Sequence, residues 1–321
     1  MSLFSYEGFA VLTVLMLAVD LYQTRGGTVT IKKAALLSLF WVSLALIFNV
    51  IIYLYWPLMA PQSSYSSSQA AVAFLTGYLL EKSLSVDNLF VFALIFSQFA
   101  VPEHLRPRVL MLGVVGALIL RAVMIAVGAQ LLAEFHWVLY IFAAFLLYTG
   151  FKLWKEDEHK SEDFSESLPV RLVRKCFRVS DHYQGSSILI KDNKGWLATP
   201  LMIVVTVIAL TDVMFALDSI PAIFAVTKEP FIVLSANVFA LLGLRSLYFV
   251  LQGLLTRFCY LRAALAFILS FIGIKMLLIE TPWAIPTLIS LLVIAVSLTT
   301  AVTASLWKTR DKTTDLSTLT K

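Results

Sequence analysis

A chain of 321 residues that is 60% hydrophobic and only 14% charged, with a mean hydropathy of +0.86, carries more apolar side chain than one soluble interior of that size can hide. The formal charge of +5 needs no nucleic acid to explain it. Its two cysteines, Cys176 and Cys259, lie 83 positions apart and form no C-x-x-C pair, which argues against a disulfide scaffold, a zinc ribbon and a dithiol redox centre.

Apolar segments fall at 8–24, 34–56, 69–99, 108–132, 136–154, 198–225, 231–256, 260–279 and 283–307. The expected fold is all-α, a polytopic membrane protein of about nine transmembrane helices. The first run lacks the basic n-region and small-residue cleavage site of a signal peptide, so it reads as a retained helix. Two N-terminal helices (1–68) precede a three-helix unit (69–154), a cytoplasmic loop (155–197), a second three-helix unit (198–279), and a last helix with a cytoplasmic tail (280–321).

Basic residues collect in alternate connections. Arg25, Lys32 and Lys33 follow the first span, Arg106 and Arg108 the third, Arg257 and Arg262 the seventh, and Lys308, Arg310 and Lys312 the ninth. The other connections are nearly free of Lys and Arg, with Lys228 the exception. The positive-inside rule then places the N-terminus outside and the C-terminus in the cytoplasm. The long loop opens on the mixed-charge "KEDEHKSEDFSES" and continues into "VRLVRKCFRV", whose cations interleave with apolar residues as in a segment lying along a membrane surface.

The two three-span units carry the same unusual residues in the same order. Glu81 and Asp87, Arg121, Gly150 and Lys152 in the first are matched by Asp212 and Asp218, Arg245, Gly273 and Lys275 in the second. Both acid pairs are six positions apart, at 81 and 87 and at 212 and 218. Units of three spans enter the membrane from opposite sides, so the pattern predicts an inverted-topology repeat with a midplane site between its halves.

An Asp, Lys or Arg at the centre of a membrane helix is unfavourable by roughly 2.5–3.5 kcal/mol. Glu81, Lys82, Asp87, Arg121, Asp212, Asp218 and Arg245 must therefore face one another or a wet cavity. The acids outnumber the cations and Asp20 adds a further carboxylate, so the cluster suits a bound cation. Six residues of regular helix give about 9 Å of rise and a turn of about 120°, so the two acids of a pair do not share a face. Asn88 shares a face with Glu81 and Ser219 with Asp212, while Ser83 lies under Asp87. Convergence of all four acids requires a local break near Asp87 and Asp218, and Pro221 marks a place for one.

Carboxylate, amide, hydroxyl and carbonyl oxygens are hard ligands for Mg²⁺, Ca²⁺ or Mn²⁺, and no His or Cys lies near either motif. Met214 reads as packing rather than as a thioether ligand, and Asn49 as an interhelical hydrogen bonder. Buried acid–base pairs can also simply fix how helices assemble, a role that suits Arg121 and Arg245. Lys82 reads as a counter-charge for Glu81 or Asp87, or as packed permanently against another acid.

The motifs "EKSLSVDN" and "TDVMFALDSIPAIFAV", with "LYIFAAFLLYTGFK" and "GLRSLYF", resemble the TerC family of integral membrane proteins, its Alx-like branch in particular, over nearly the whole chain. The resemblance implies a bacterial inner-membrane protein of the LysE-type exporter group that exports Mn²⁺. It also implies kinship with proteins linked to tellurium resistance and, for Alx-type members, to alkaline-pH response. The family's acidic positions match Glu81, Asp87, Asp212 and Asp218; Thr211 stands where many relatives have serine, which keeps the hydroxyl. Relatives have also been labelled redox modulators, yet the chain has no paired cysteines, haem-type histidine pair or flavin fingerprint.

The expected function is export of divalent cations by alternating access, Mn²⁺ being the transported ion, with no permanently bound cofactor. Proton exchange is one coupling that fits, because crowded carboxylates in a low dielectric titrate as a coupled set, and the coupling ion stays open at this point. Membrane lipids surround the protein, nucleic acid is not a partner, and no P-loop or nucleophile motif points to an enzyme. A Ca²⁺ or other cation/proton antiporter would use the same acids. A non-transporting membrane assembly protein or redox modulator is the remaining alternative.

Overall fold

The structure, a computed structural model, describes residues 3–23, 30–135, 137–155, 167–180, 182–183, 185, 187–192, 195–251, 260–279 and 281–319. Among these the side chains at 3–5, 21, 23, 87, 90, 192, 251, 306 and 309–319 lie outside the description. The elements are α1 (Leu3–Gln23), α2 (Ile31–Met59), α3 (Ser67–Gln98), α4 (Arg106–Glu134) and α5 (Val138–Lys155). A short α6 (Leu168–Cys176) and strands β1 (Arg178–Val179), β2 (Leu189–Asp192) and β3 (Gly195–Ala198) follow. The rest is α7 (Pro200–Phe224), α8 (Pro230–Leu241), α9 (Leu244–Leu251), α10 (Leu261–Leu277) and α11 (Thr287–Leu319).

Within the described residues every apolar segment read from the sequence meets a helix, and 231–251 falls on two. Among the described residues, six stretches are long and apolar enough to cross a membrane: Ile31–Met59, Arg106–Glu134, Val138–Lys155, Pro200–Phe224, Pro230–Val250 and Thr287–Ser305. The fold is that of a membrane body built from helices. Its helices start where the local chemistry directs. Ser66 and Gln69 form a reciprocal capping box at the head of α3, and Pro200 and Pro230 open α7 and α8 where their missing N–H groups cost nothing. Inside the spans, hydroxyls bond back to their own helix, as Thr76 does to the Val72 carbonyl at 2.6 Å.

Three features differ from the sequence expectation. The all-α description omits a three-stranded sheet of order β1-β3-β2, in which β1 pairs parallel and β2 antiparallel to β3. These strands are four residues or shorter, too brief for an alternation signal to stand out from a polar loop. Beside the sheet, α6 packs on α7, burying Val170 and Val173 and leaving Leu168, Leu172 and Arg174 exposed. Second, no break occurs at the acids, since α3 and α7 run unbroken past Asp87 and Asp218. Pro221 lies three residues from the end of α7, where the one lost bond is tolerated.

Third, the break lies in 231–256. The helix stops at Leu241, Gly243 adopts φ +75°, and α9 resumes at Leu244. Only glycine fits this position. Its conformation is left-handed, and a Cβ there would sit 2.7 Å from Trp41 Cδ1.

The two three-helix units interlock. Helix α3 packs on α8, α4 on α7, α3 on α7, and α5 on α10. The α5–α10 contact is close because glycine faces it from each side. A Cβ on Gly150 would fall 3.0 Å from the Ala266 carbonyl oxygen, and one on Gly273 would fall 3.2 Å from that of Ala143.

Candidate functional site

The buried charges gather around Arg121 on α4, which is only 1% exposed. Its Nε and Nη2 donate to Asp212 Oδ2 and Oδ1 at 3.0 and 3.1 Å, a bidentate pair. Its Nη1 donates to Glu81 Oε1, to Asn237 Oδ1 at 3.0 Å and to Ser219 Oγ at 3.3 Å. One guanidinium thus ties α3, α7 and α8 to α4. Asp212 and Ser219 meet it together because seven residues bring a helix back to the same face. Two carboxylates on one guanidinium leave one negative charge in excess. Glu81 is fully buried, and its Oε2 has no hydrogen-bond partner.

The remaining predicted residues lie elsewhere. Asp218, half-buried, points toward α5 and accepts a hydrogen bond from Thr149 Oγ1 at 3.0 Å. On an unbroken α7 it faces about 120° away from Asp212, so the two do not converge. The side chain of Asp87 lies outside the described residues. Among the described residues no three His, Cys, Asp or Glu side chains gather as a metal-ligand set. Asn88 and Ser83 are buried on α3, and the Ser83 hydroxyl donates to its own helix at the Leu79 carbonyl. Met214 is 68% exposed on the outer face of α7, away from Arg121. Asn49 Oδ1 has no hydrogen-bond partner, so the interhelical bond expected of it through that atom is not made.

Lys82 and Arg245 form a second cluster. Lys82 Nζ donates to the Ala240 and Leu242 carbonyls at 3.0 and 3.3 Å rather than serving as counter-charge to Glu81. The reason is the broken span. Carbonyls at the end of α8 lack the N–H groups of a following turn, and an ammonium satisfies them and the helix dipole together. Arg245 Nε lies 3.7 Å from Asp20 Oδ2, and its Nη2 donates to the Asp20 carbonyl at 3.4 Å. Asp20 therefore anchors α1 to α9 at a distance from the Arg121 pocket.

Sequence reasoning missed Asn237 and Thr149. Asn237 had a signal, since it is the amide within the apolar "VLSANVFALL". Thr149 had none, because a threonine that bonds within its own helix reads the same. Lys275, marked by the repeat, is 3% exposed and its Nζ has no hydrogen-bond partner.

Long apolar helices and buried charges paired between them define an integral membrane protein of many spans. Residues 66–313 match the Integral membrane protein TerC family, and the chain belongs to that family. It is 48% identical over 289 residues, 89% of each chain, to "Putative membrane-bound redox modulator Alx" of Escherichia coli (strain K12). It is 43% identical over 315 residues, 97% of each chain, to the protein of the same name in Photorhabdus laumondii. It is 44% identical over 236 residues, 74% of this chain and 61% of the relative, to "Thylakoid membrane protein TERC, chloroplastic" of Arabidopsis thaliana. No solved structure matches it.

Proposed function

We propose that the protein is a carrier, not an enzyme, that exports divalent cations, Mn²⁺ foremost, across the bacterial inner membrane by alternating access. In this reading about nine helices cross the bilayer, with the N-terminus outside and the C-terminus in the cytoplasm. The two three-helix units are inverted repeats. Reciprocal packing supports this: α3 on α8 answers α4 on α7 when the units are exchanged, and Gly150 and Gly273, equivalent in sequence, face each other's helices.

The observation that carries the reading is the Arg121 pocket. Glu81 and Asp212, matching acids of the two units, meet at one buried point with a carboxylate oxygen to spare. Helix assembly alone has no use for a second carboxylate left half satisfied. Ser219 and Asn237 supply neutral oxygens, and Asp87 and Asp218 supply further carboxylates when the helices rearrange around the ion. An all-oxygen set suits Mn²⁺, Ca²⁺ or Mg²⁺, and the family resemblance selects Mn²⁺. Cells expressing the wild type at high external Mn²⁺ are expected to hold less manganese than cells expressing Asp212→Asn or Asp218→Asn at equal protein level. Equal metal contents would remove the exporter reading.

The relatives' names favour a second reading, redox modulation. Cys176 is a free, exposed thiol, and Cys259 lies outside the described residues. A redox role through thiols requires that Cys176→Ser with Cys259→Ser abolish function, whereas the export reading expects full activity from that double variant.

A further inference from the structure

Arg121 occupies the place where the ion should bind. Its fork engages both oxygens of Asp212, one of Glu81, and the Ser219 and Asn237 oxygens, the same atoms that the export reading assigns to the cation. A guanidinium lodged on these oxygens leaves none of them free for a cation. Ion and arginine therefore exclude each other. The fit is incomplete, since Glu81 Oε2 is buried with no donor although a five-donor fork lies beside it. A planar fork satisfies two carboxylates only partly, whereas an ion small enough to sit between them reaches both.

An exporter that has released its cargo must close again before the next cycle. Closing with two carboxylates desolvated and no cation between them is strongly unfavourable. Arg121 comes from α4 of the first unit, and Asp212 and Ser219 come from α7 of the second, so the bridge also closes the interface along which the units move. Resting on the export reading, we propose that the Arg121 guanidinium is a tethered stand-in for the exported cation. Ion binding displaces it, and its return lets the empty carrier reset without an exchanged ion. The guanidinium supplies the charge that an antiported proton or metal ion would otherwise bring.

The test uses the full-length protein in lipid vesicles loaded with radioactive Mn²⁺. Two fluxes are compared: net efflux into metal-free buffer, and exchange against equal Mn²⁺ outside. Wild type is expected to perform both. Arg121→Gln can reorient only when loaded, so exchange should stay within about threefold of wild type while net efflux falls by about tenfold or more. Arg121→Lys keeps a cation and should keep net efflux within about threefold. Parallel loss of both fluxes in a monodisperse Arg121→Gln protein, or net efflux at the wild-type rate, overturns the inference. Should Arg121→Gln not be recovered folded, Arg121→Lys decides, and a drop of about tenfold in its net efflux overturns it. A wild type with neither flux removes the export reading itself, which distinguishes that failure from one confined to Arg121.

Discussion

Replacing Lys82 with methionine isolates what holds the broken span together. Helix α8 ends at Leu241 and the chain turns at Gly243, so the carbonyls of Ala240 and Leu242 look to Lys82 Nζ, at 3.0 and 3.3 Å. Methionine keeps the length of the stem and removes the donor. A buried polar group left without a partner costs about 1–3 kcal/mol, which for two carbonyls gives about 2–6 kcal/mol. Relief of the ammonium's own desolvation offsets part of that and leaves a net loss of about 2–4 kcal/mol. Asp20 keeps Arg245 at 3.7 Å, so no lone charge is created there. At about 2–4 °C per kcal/mol for a large domain, the melting temperature in detergent should fall by about 4–16 °C, followed by tryptophan fluorescence. Lys82→Arg, which still donates, should recover most of the loss. A Lys82→Met protein melting within about 1 °C of wild type would refute the carbonyl-cap reasoning. Unchanged melting with altered Mn²⁺ affinity would instead assign Lys82 to the ion pocket.

Gly150→Ala should destabilise by about 1–3 kcal/mol, because its Cβ would lie 3.0 Å from the Ala266 carbonyl oxygen and would run into Ser270 Oγ. Adding Ser270→Ala removes the hydroxyl and should restore part of the melting temperature, and no restoration would mean that the backbone contact dominates. Tyr183 ties the loop to the end of α3 by donating to the Phe99 carbonyl at 2.8 Å, and Tyr183→Phe should cost about 0.5–1.5 kcal/mol. Burial pushes the Tyr183 phenol up to about 12 from its ordinary 10.0, so the folded form holds the proton more tightly than the unfolded chain. The tie is therefore intact below pH 10 and lost as pH rises through about 12, which Trp196 fluorescence should report in the wild type and not in Tyr183→Phe.

Helix positions were legible because membrane spans announce themselves by length and hydropathy. The need for charge pairing was legible as well, since seven ionisable groups at depth cannot stand alone. The choice of partners was not. Arg121 bonds Asp212, 91 positions away in the other unit, and nothing in local spacing selects that pairing over Arg245 with Glu81. Gly243 also escaped notice, because a glycine in an apolar run is a common packing residue, and only its left-handed φ against Trp41 reveals a break. Pro221 misled for the opposite reason. Proline has a strong local effect, but near a helix end that effect has little to disrupt.

Among the described residues the two units differ at the helix that carries their arginine, and that difference suits a moving element. Arg121 and Arg245 hold matching positions, yet Arg121 lies in an unbroken α4 while Arg245 follows the break on α9 and pairs outward with Asp20 of α1. In the inverted-repeat carrier proposed above, passing between access states exchanges the shapes of the two units. A full exchange would both break α4 and straighten α8 and α9. The residue of α4 that matches Gly243 is Ile119, and a β-branched residue resists a left-handed φ. Straightening of α8 and α9 is therefore the accessible change. It gives the Ala240 and Leu242 carbonyls back to a helix and releases Lys82 from them. Spin labels at Leu36 on α2 and Val250 on α9, in a background with Cys176→Ser and Cys259→Ser, should show a second distance when Mn²⁺ is added. A single unchanged distance with Mn²⁺ bound would place the moving element elsewhere.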